Sequence, residues 1–543
     1  MVLRLLSALA GAFLMVSASL AADVPRWGRF EAELAAGADL KDPVQDATLE
    51  IQFTAPSGKV QTVLGFWDGG RTWRIRFMPD EVGRWTWQSR CREDKGLDGR
   101  KGEFNCTPYT GADPLCRHGA VRVSDDRWHL AHADGTPWFW LSDTAWNGAM
   151  LSTAADWDAY LSDRAAKGFT AVQFVTTQWR TAPTDEAGQA AYTGKERIAI
   201  NPAFYQRMDK RFDAVSAHGL VAAPVLAWAV GNALDPGTSL PEDQLIALVR
   251  YQVTRYGAHH VVWILGGDGN YKAEKADKWK RVGRAVFGEH PRAPVTMHMN
   301  GQGWYVPEFR GEPWFGFIGY QSGHGDSDKS LEWLIFGPPA ADWNTEPHHP
   351  IINLEPNYEG HVAYQSKKPI TPHMVRRAAW WSLLVSPPAG VTYGGHGIWS
   401  WQREAGLPPA HPNTGIAPPW HEAVKMPGAT AMKHLKDFFA SVEWWRLRPA
   451  PEMLTDQPGA SDPKKFVAAA RADDGSFAVA YLPVGGAVSL RLDSLKSPAA
   501  ARWFNPADGK WSDARPAPGT PAKFTAPGGE DWVLWLGGVP NAP

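Results

Sequence analysis

Apolar and polar residues alternate in short runs from residue 23 to about residue 110, with turn signals between the runs. The run Thr72–Phe77 is typical, with Trp73, Ile75 and Phe77 on one face, and it follows an Asp-Gly-Gly turn. Successive side chains of a strand point to opposite faces, so a period of two indicates strands with one buried face. Short strands at this spacing predict an Ig-like β-sandwich over residues 23–110.

From residue 120 to residue 445 the pattern changes to apolar runs that alternate with helical periodicity. Eight such units over about 320 residues predict a (β/α)8 barrel, the TIM-barrel fold, with extra loops. The helical stretches include Ala154–Lys167, Pro202–His218, Pro241–Tyr256, Ala273–Phe287 and Pro372–Leu384. The candidate strands are Trp138–Leu141, Thr170–Val175, Val221–Leu226, Val261–Leu265, Pro294–His298, Phe315–Tyr320, Ile351–Leu354 and Gly390–Tyr393.

Strand-like alternation returns beyond residue 445, for example in Phe477–Leu482 and Trp532–Leu536. Turns rich in Pro, Gly and Asp separate these runs, which predicts a second β-sandwich over residues 446–543. The central barrel is therefore expected to lie between two β-sandwiches. The Pro- and Gly-rich stretch Leu407–Pro419 falls in the last barrel loop, where we expect a rim or lid.

The first 22 residues read as a secretory signal peptide. Arg4 precedes an apolar stretch, Leu5–Val16, and small residues follow, with cleavage expected near Ala21 or Ala22. Such an apolar stretch is too short to span a membrane. The sequence therefore predicts a periplasmic or secreted protein without a membrane span.

Composition narrows the range of functions. The formal net charge is −2, so no basic surface points to nucleic acid or to an anionic membrane. The 29 tryptophans stand out, because indole rings form cores and also stack on sugar rings. In an exported protein the three cysteines, Cys91, Cys106 and Cys116, predict one disulfide, with Cys91–Cys106 the preferred pair.

Two acidic residues each follow a short apolar run that ends at glycine or proline. Asp268 ends the run Val261–Leu265 within a Gly-Gly-Asp-Gly turn, and Glu355 ends the run Ile351–Leu354 before a proline. These runs are the fourth and seventh candidate strands. Active sites of such barrels lie at the carboxyl ends of the strands, and glycoside hydrolysis needs two carboxyl groups. The pair therefore predicts a glycoside hydrolase.

The two acids must differ in protonation. Asp268 is expected to stay protonated as acid/base, because its glycine neighbours supply no counter-charge and Trp263 or Tyr358 can bury it. We expect Glu355 to be held ionised by Asn353, Asn357, His298 or Tyr320. If this pair fails, Asp143 and Glu359 form the next candidate pair.

The sequence of the predicted barrel resembles the apiosidase-like glycoside hydrolases, which have a family 140-like barrel and act in bacterial plant-glycan degradation. The carboxy-terminal sandwich looks like the collagen-binding-type module that often follows such barrels, and the amino-terminal sandwich resembles a domain found before some of them. The matching stretches run through nearly the whole barrel in order: Trp140–Trp146, Tyr160–Phe169, Trp263–Asp268, Tyr320–His324, Asn353–Gly360, Val375–Trp381 and Thr392–Trp399.

The resemblance implies that Asp268 is the acid/base and Glu355 the nucleophile of a retaining mechanism. The substrate would be a terminal sugar, apiose-like or related, on a plant cell-wall oligo- or polysaccharide such as pectin. Further residues follow predicted strands and are candidates for substrate binding: Asp143, Trp146, Trp179, Trp228, His298, Tyr320, Gln321, His324, Tyr358, Glu359, His396 and Trp399.

Two alternatives stay open at this point. One is a non-catalytic glycan-binding or adhesion protein on the same scaffold. The other is an inverting hydrolase, in which the carboxyl groups would be about 6.5–9.5 Å apart instead of about 5–5.5 Å. No cofactor or metal is expected, since His259-His260 and His348-His349 precede strands and so belong to the barrel end opposite the site.

Overall fold

The structure is a computed structural model that describes residues 22–496 and 500–538. The predicted signal peptide lies outside the described residues, except for the backbone of Ala22, where the first strand begins. Within the described ranges, no helix is long and apolar enough to cross a membrane.

The amino-terminal domain consists of two facing sheets. In β7, for example, Trp85, Trp87 and Ser89 are buried while the residues between them are exposed. The larger sheet has the order β1-β8-β7-β3-β4 and the smaller one β2-β6-β5. The elements are β1 (Ala22–Pro25), β2 (Phe30–Ala35), α1 (Pro43–Asp46), β3 (Glu50–Thr54), β4 (Val60–Leu64), β5 (Phe66–Gly69), β6 (Thr72–Phe77), β7 (Gly83–Arg90) and β8 (Lys101–Thr107).

The predicted Cys91–Cys106 disulfide is wrong. All three cysteines are free, and Cys91 and Cys106 are both buried. Strands β7 and β8 are antiparallel, with Gly83 opposite Cys106 and Gln88 opposite Lys101. Cys91 follows the other end of β7, so about eight residues at roughly 3.4 Å each separate it from Cys106. A disulfide needs Cα atoms within about 7 Å.

A small antiparallel sheet, which the sequence did not predict, connects the first domain to the barrel. Its strands pair in the order β11-β10-β9, and β11 leads directly into the first barrel strand. The connecting elements are α2 (Pro114–His118), β9 (Val121–Val123), β10 (Leu130–His132) and β11 (Pro137–Trp138).

The central domain is built on eight parallel strands that overlap the eight predicted ones. Their order is β18-β17-β16-β13-β12-β21-β20-β19, a nearly closed barrel. The seam between β18 and β19 is spanned by a hydrogen bond from the Gly316 N–H to the Val295 carbonyl. The strands are β12 (Trp140–Thr144), β13 (Ala171–Val175), the separate hairpin β14 (Tyr192–Thr193) and β15 (Ala199–Ile200), β16 (Val221–Trp228), β17 (Trp263–Gly267), β18 (Val295–Thr296), β19 (Ile318–Tyr320), β20 (Ile351–Asn353) and β21 (Pro388–Tyr393).

The helices around this barrel are uneven, so the regular (β/α)8 pattern is met only in part. Thr153, Asn201 and Thr371 cap three of the long helices through side-chain oxygens. Only the single turn α9 follows β18. The helices are α3 (Gly148–Leu151), α4 (Ala154–Ala166), α5 (Pro202–Ala217), α6 (Pro236–Ser239), α7 (Glu242–Tyr256), α8 (Glu274–Phe287), α9 (Val306–Phe309), α10 (Asp328–Ile335), α11 (Pro338–Ala341), α12 (Pro372–Leu384), α13 (Trp420–Ala423) and α14 (Pro427–Ala440).

The carboxy-terminal domain pairs a six-stranded sheet, β22-β23-β24-β29-β26-β27, with the two-stranded sheet β25-β28. It shares a core with the barrel, because the ring of Tyr481 stacks on that of Trp380 in α12 at 5.7 Å. The strands are β22 (Leu447–Pro449), β23 (Ala468–Ala472), β24 (Ala478–Leu482), β25 (Ala487–Leu490), β26 (Ala500–Phe504), β27 (Trp511–Asp513), β28 (Ala522–Thr525) and β29 (Trp532–Gly537).

Candidate active site

Asp268 and Glu355 both lie where barrel strands end. Asp268 directly follows β17, and Glu355 comes two residues after β20. Asp268 has a left-handed φ of 47°. This conformation is uncommon for a residue with a side chain, and such residues cluster at functional sites. A Cβ on the preceding Gly267 would lie 2.5 Å from the Trp228 ring, so glycine allows Trp228 to pack against the backbone just before Asp268.

Two histidines contact the Glu355 carboxylate. His324 Nε2 lies 3.0 Å from Oε1 with hydrogen-bond geometry, and His298 Nε2 approaches Oε2 at 3.3 Å in a poorer alignment. Burial would raise the pKa of Glu355, but the two histidines outweigh it and hold that pKa below its usual range. Glu355 is therefore ionised at neutral pH. Of the predicted neighbours, Asn353 donates to Ser322 and Ser382, Asn357 donates to the Gly323 carbonyl, and the Tyr320 hydroxyl has no hydrogen-bond partner among the described residues.

His298 connects the two acids. The backbone N–H of Asp268 donates to His298 Nδ1 at 3.2 Å. A neutral imidazole has one donor and one acceptor nitrogen, so the ring proton is on Nε2, which faces Glu355. The histidine thus presents an N–H to the Glu355 carboxylate and fixes the backbone at Asp268.

The carboxyl group of Asp268 has the opposite character. Burial first, and then the charge of Glu355, raise the pKa of Asp268 to about 7. A carboxyl with this pKa is largely protonated below neutrality. The site therefore holds one protonated and one ionised carboxyl group, which is what acid-assisted glycoside cleavage requires.

Tyr358 lies beside Glu355 on the inner side of the barrel. Its hydroxyl donates to Thr144 Oγ1 at 3.3 Å, and Thr144 in turn accepts from Gln173 Nε2 at 2.9 Å. Burial, followed by the charge of Glu355, raises the pKa of the Tyr358 hydroxyl. These polar side chains link the base of the site to strands β12 and β13.

The predicted tryptophans Trp146, Trp179 and Trp228 pack against one another under the site. Trp228 lies 4.4 Å from Trp179 and 5.2 Å from Trp146, and Trp146 meets His298 edge-on at 5.4 Å. Their exposed fractions are only 1–3%. We conclude that they shape and support the site, and that they offer little open ring surface to a sugar.

The side chains of Asp143 and Glu359, the next candidate pair, are directed away from Asp268 and Glu355. Asp143 is fully buried between β12 and α4, where Oδ2 accepts from Arg164 Nε at 2.5 Å and from the Tyr160 hydroxyl at 2.8 Å. Glu359 accepts from the Tyr393 hydroxyl and from the Gly428 N–H near the start of α14. Both side chains point to the helix layer, so neither can contact a sugar at the barrel end.

Three more of the predicted binding residues, Tyr320, Gln321 and His396, are buried. Tyr320 is fully buried and packs against Trp304 and Trp333 in the helix layer. Gln321 is 5% exposed and has a buried Oε1 without a partner among the described residues. His396 lies behind the site, where its Nδ1 accepts from Trp399 Nε1 at 3.2 Å and its Nε2 meets the Gly415 carbonyl.

Sequence reasoning missed three residues near the acids. The charge of Arg180 acts on Asp268, and Arg180 Nη2 contacts His411 Nε2 at 3.1 Å. His411 belongs to the predicted rim stretch Leu407–Pro419. Tyr364 is 50% exposed, and both acids raise the pKa of its hydroxyl after burial. Arg180 follows a predicted strand and His411 lies in the predicted rim stretch, so both carried a signal in the sequence, whereas Tyr364 carried none.

The histidine pairs have other contacts. His259 Nε2 lies 3.1 Å from Asp213, and His349 Nε2 contacts the Arg310 carbonyl. Throughout the described ranges, no group of His, Cys, Asp and Glu is arranged to hold a metal ion.

Comparison with protein families assigns three regions. Residues 124–446 match the model described as "Apiosidase-like, catalytic domain". Residues 23–92 match a domain of unknown function (DUF5060). Residues 449–537 match a domain provisionally described as the collagen-binding domain of a collagenase. A search of curated proteins finds no match.

Solved structures share the fold. One described as a glycoside hydrolase is 22% identical, with a TM-score of 0.66, over 79% of this chain and 98% of that chain. A glycoside hydrolase family 5 structure from Bacteroides vulgatus ATCC 8482 is 21% identical, with the same TM-score, over 79% and 95%. A third, from the same strain and provisionally described as a glycoside hydrolase, is 20% identical with a TM-score of 0.69 over 95% and 99%.

Proposed function

The chain belongs to the family of apiosidase-like catalytic domains and is a glycosidase, and we propose that it releases a terminal sugar from a plant cell-wall glycan such as pectin. The sugar is apiose or a related residue, and the mechanism is retaining. The catalytic domain is a (β/α)8 barrel whose fifth helix is reduced to the single turn α9. The protein works in the periplasm or outside the cell after removal of the signal peptide.

The observation that carries this mechanism is the placement of Asp268 and Glu355 at the carboxyl ends of β17 and β20, where His298 contacts both residues, and the opposite shift of their pKa values agrees with it. Asp268, with its pKa raised to about 7, is the general acid, and Glu355, held ionised by His298 and His324, is the nucleophile. One carboxyl must give a proton and the other must attack carbon, so a pair with separated pKa values suits the reaction.

The reaction proceeds in two steps. Glu355 attacks the anomeric carbon while Asp268 gives its proton to the glycosidic oxygen, so the bond to the leaving group breaks and a glycosyl ester forms. Water then attacks the same carbon, Asp268 takes the water proton, and the ester bond to Glu355 breaks. Both side chains return to their starting state.

Azide rescue tests the two roles. Asp268→Ala should lose least activity on a dinitrophenyl glycoside, because that leaving group departs without a proton. Azide needs no general base, so it should restore turnover of this variant and give a glycosyl azide of retained configuration. Glu355→Ala should give an azide of inverted configuration by direct attack on the vacated face.

Two results would contradict the proposal. Rescue of Asp268→Ala with inversion would mean that the roles are exchanged. Native hydrolysis that yields the inverted sugar, observed by NMR in the first minutes, would identify an inverting enzyme in which Glu355 activates water. Circular dichroism of each variant serves as the control for folding.

A further inference from the structure

A crevice separates the amino-terminal domain from the barrel on the side of α7. It comprises two cavities of about 520 Å3 and about 290 Å3, and Leu64, Arg250 and Thr254 line both. Ligand sites commonly have volumes of about 300–1,000 Å3 and often lie at domain junctions. The crevice therefore has the size and position of a binding site, and neither catalytic acid lines it.

One face of α7 forms the barrel side of the crevice. Asp243, Ala247, Arg250 and Thr254 recur every three or four residues and line the larger cavity together. The N-terminal end of α7 follows the loop after β16, on the side of the catalytic site. Its C-terminal end leads to Gly257 and Ala258, which line the smaller cavity. A chain-like ligand could therefore lie along the helix, whose 15 residues span about 22 Å.

The wall formed by the amino-terminal domain offers aromatic and hydrogen-bonding groups. Trp67 lines the larger cavity and is half-buried, with its indole N–H held by the Gly70 carbonyl. Trp73 lines the same cavity and is 3% exposed. Its buried indole N–H has no hydrogen-bond partner within the described part of the chain. Buried N–H groups are normally paired, so this donor calls for a partner.

Two arginines, Arg250 and Arg292, give the smaller cavity a positive charge. Within the described residues, the Arg250 side chain donates to the Ala285 carbonyl alone, at 3.0 Å, and the Arg292 side chain to the Thr62 carbonyl alone, at 3.5 Å. Arg292 also lies over the Phe77 ring at 5.5 Å. Both residues keep solvent-exposed surface, although burial lowers the pKa of each guanidinium. Neither forms a salt bridge with a carboxylate in residues 22–496 or 500–538, and the charge of Asp80 acts on Arg292 only from a longer distance. By contrast, Arg76 at the same junction is neutralised by Asp209 at 2.8 Å.

We propose that this crevice is a second, non-catalytic glycan site, which binds an acidic oligosaccharide through Arg250 and Arg292. A guanidinium group binds a carboxylate by two parallel hydrogen bonds, so uronate sugars are the chemical class that these two arginines suit. Glu50 and Asp243 line the larger cavity and would repel a carboxylate. The carboxylates of the ligand therefore bind in the smaller cavity, and its neutral hydroxyl groups lie against the tryptophans of the larger one. The amino-terminal domain thereby holds the polymer beside the catalytic domain.

Isothermal titration calorimetry with the full-length protein tests the site. The probes are a galacturonic acid pentamer and the neutral cellopentaose. We expect the native protein to bind the acidic pentamer more tightly than the neutral one. The double variant Arg250→Ser/Arg292→Ser should weaken binding of the acidic pentamer at least tenfold. Raising the salt concentration should weaken the native interaction, because exposed charges are screened.

The matched control is Arg84→Ser/Arg92→Ser, which removes the same charge from exposed positions of the amino-terminal domain that do not line the crevice. It should bind like the native protein. Both double variants should give the native circular dichroism spectrum. Arg250→Ser/Arg292→Ser also loses two hydrogen bonds to carbonyls and the Arg292 contact with Phe77, so its unfolding temperature is measured to show that it is folded at the titration temperature. Where a small aryl glycoside is turned over, its kcat/KM should stay within twofold in both. Binding is measured without turnover, so an error in the catalytic assignment would not affect this test.

Three outcomes would overturn the proposal. The first is that the native protein fails to bind the acidic pentamer. The second is equal affinity for the neutral pentamer. The third is that the Arg250→Ser/Arg292→Ser and Arg84→Ser/Arg92→Ser variants bind alike.

Discussion

The direction of each side chain decides which acids belong to the site. Asp268 and Glu355 are the preferred pair in the sequence, but Asp143 and Glu359 also lie at or after predicted strands, so chain position alone does not exclude them. In the fold, Asp268 and Glu355 share His298, while Asp143 and Glu359 point to helices. A shift of one residue moves a side chain to the other face of a strand, and uncertainty of that size is inherent in sequence-based strand ends. The position of the acids was therefore predictable, and the face of each was not.

The pH dependence of kcat/KM should reflect the two acids. The general acid must be protonated, so activity should fall as the pH rises through about 7, the pKa of Asp268. The nucleophile must be ionised, and the pKa of Glu355 lies below its usual range. Activity should therefore persist well below pH 4.5. Initial rates between pH 3 and pH 9 measure the alkaline limb and show whether activity persists on the acid side.

Two controls accompany this profile. On a dinitrophenyl glycoside the alkaline limb should disappear, since no proton is needed for departure. His324→Phe removes a hydrogen bond to Glu355 and should move the acid limb to higher pH. An alkaline limb that is unchanged on the dinitrophenyl substrate would show that Asp268 is not the acid.

Tyr364 should provide the aromatic surface for the sugar. The tryptophans below the acids are 1–3% exposed, whereas Tyr364 is 50% exposed and lies near both acids. Tyr364→Ala should lower kcat/KM roughly fivefold, the equivalent of about 1 kcal/mol of ring contact. Tyr364→Phe keeps the ring and should stay close to native. If both variants retain native kinetics, the sugar does not contact this residue.

The sequence predicts where the barrel strands lie better than it predicts which distant residues pair with one another. Every predicted barrel strand overlaps an observed one, because a buried parallel strand is a continuous apolar run. Pairing between distant residues leaves no such local pattern in the sequence. The Cys91–Cys106 disulfide failed because the β7–β8 register depends on contacts between distant strands, which no local pattern records. The single turn α9 and the sheet β11-β10-β9 also lack a strong periodic signal.

The contact between β12 and α4 depends on a buried ion pair. Asp143 and Arg164 are both fully buried. Asp143→Ala should lower the free energy of unfolding by about 3–5 kcal/mol, because it leaves a buried guanidinium with less compensation. Urea unfolding measures this loss. The kcat/KM of the folded variant should stay within a few-fold of native, since Asp143 lies outside the site.

The control for this prediction is Asp158→Ala on the exposed side of α4, which should change the unfolding free energy by less than about 0.5 kcal/mol. Asp143→Leu combined with Arg164→Met should recover much of the stability. A fall in kcat/KM of several orders of magnitude in folded Asp143→Ala would instead assign Asp143 to the catalytic site.

At the scale of the molecule, the two outer domains attach to the barrel differently. The amino-terminal domain meets α5 and α7 largely through charged groups, with Arg255 bound to Asp68 and Asp209. The carboxy-terminal domain shares an apolar core with α12 and α14, including the stack of Trp511 on Phe438 at 5.5 Å. A charged junction leaves room for a crevice, whereas a shared core makes two domains one folding unit.

The carboxy-terminal domain should therefore unfold together with the barrel. Asp531 is fully buried and binds Arg376 of α12 by two hydrogen bonds of 2.6 and 2.9 Å, and it also accepts from the Tyr481 hydroxyl. Asp531→Ala removes these bonds and leaves Arg376 buried without its partner, which should cost about 3–5 kcal/mol.

In calorimetry the barrel and this domain should melt in one transition, and the variant should shift that whole transition downward. Asp513→Ala, at an exposed position of the same domain, should leave it in place. A separate low-temperature transition in Asp531→Ala, with activity lost only at the higher one, would show that the barrel folds independently of this domain.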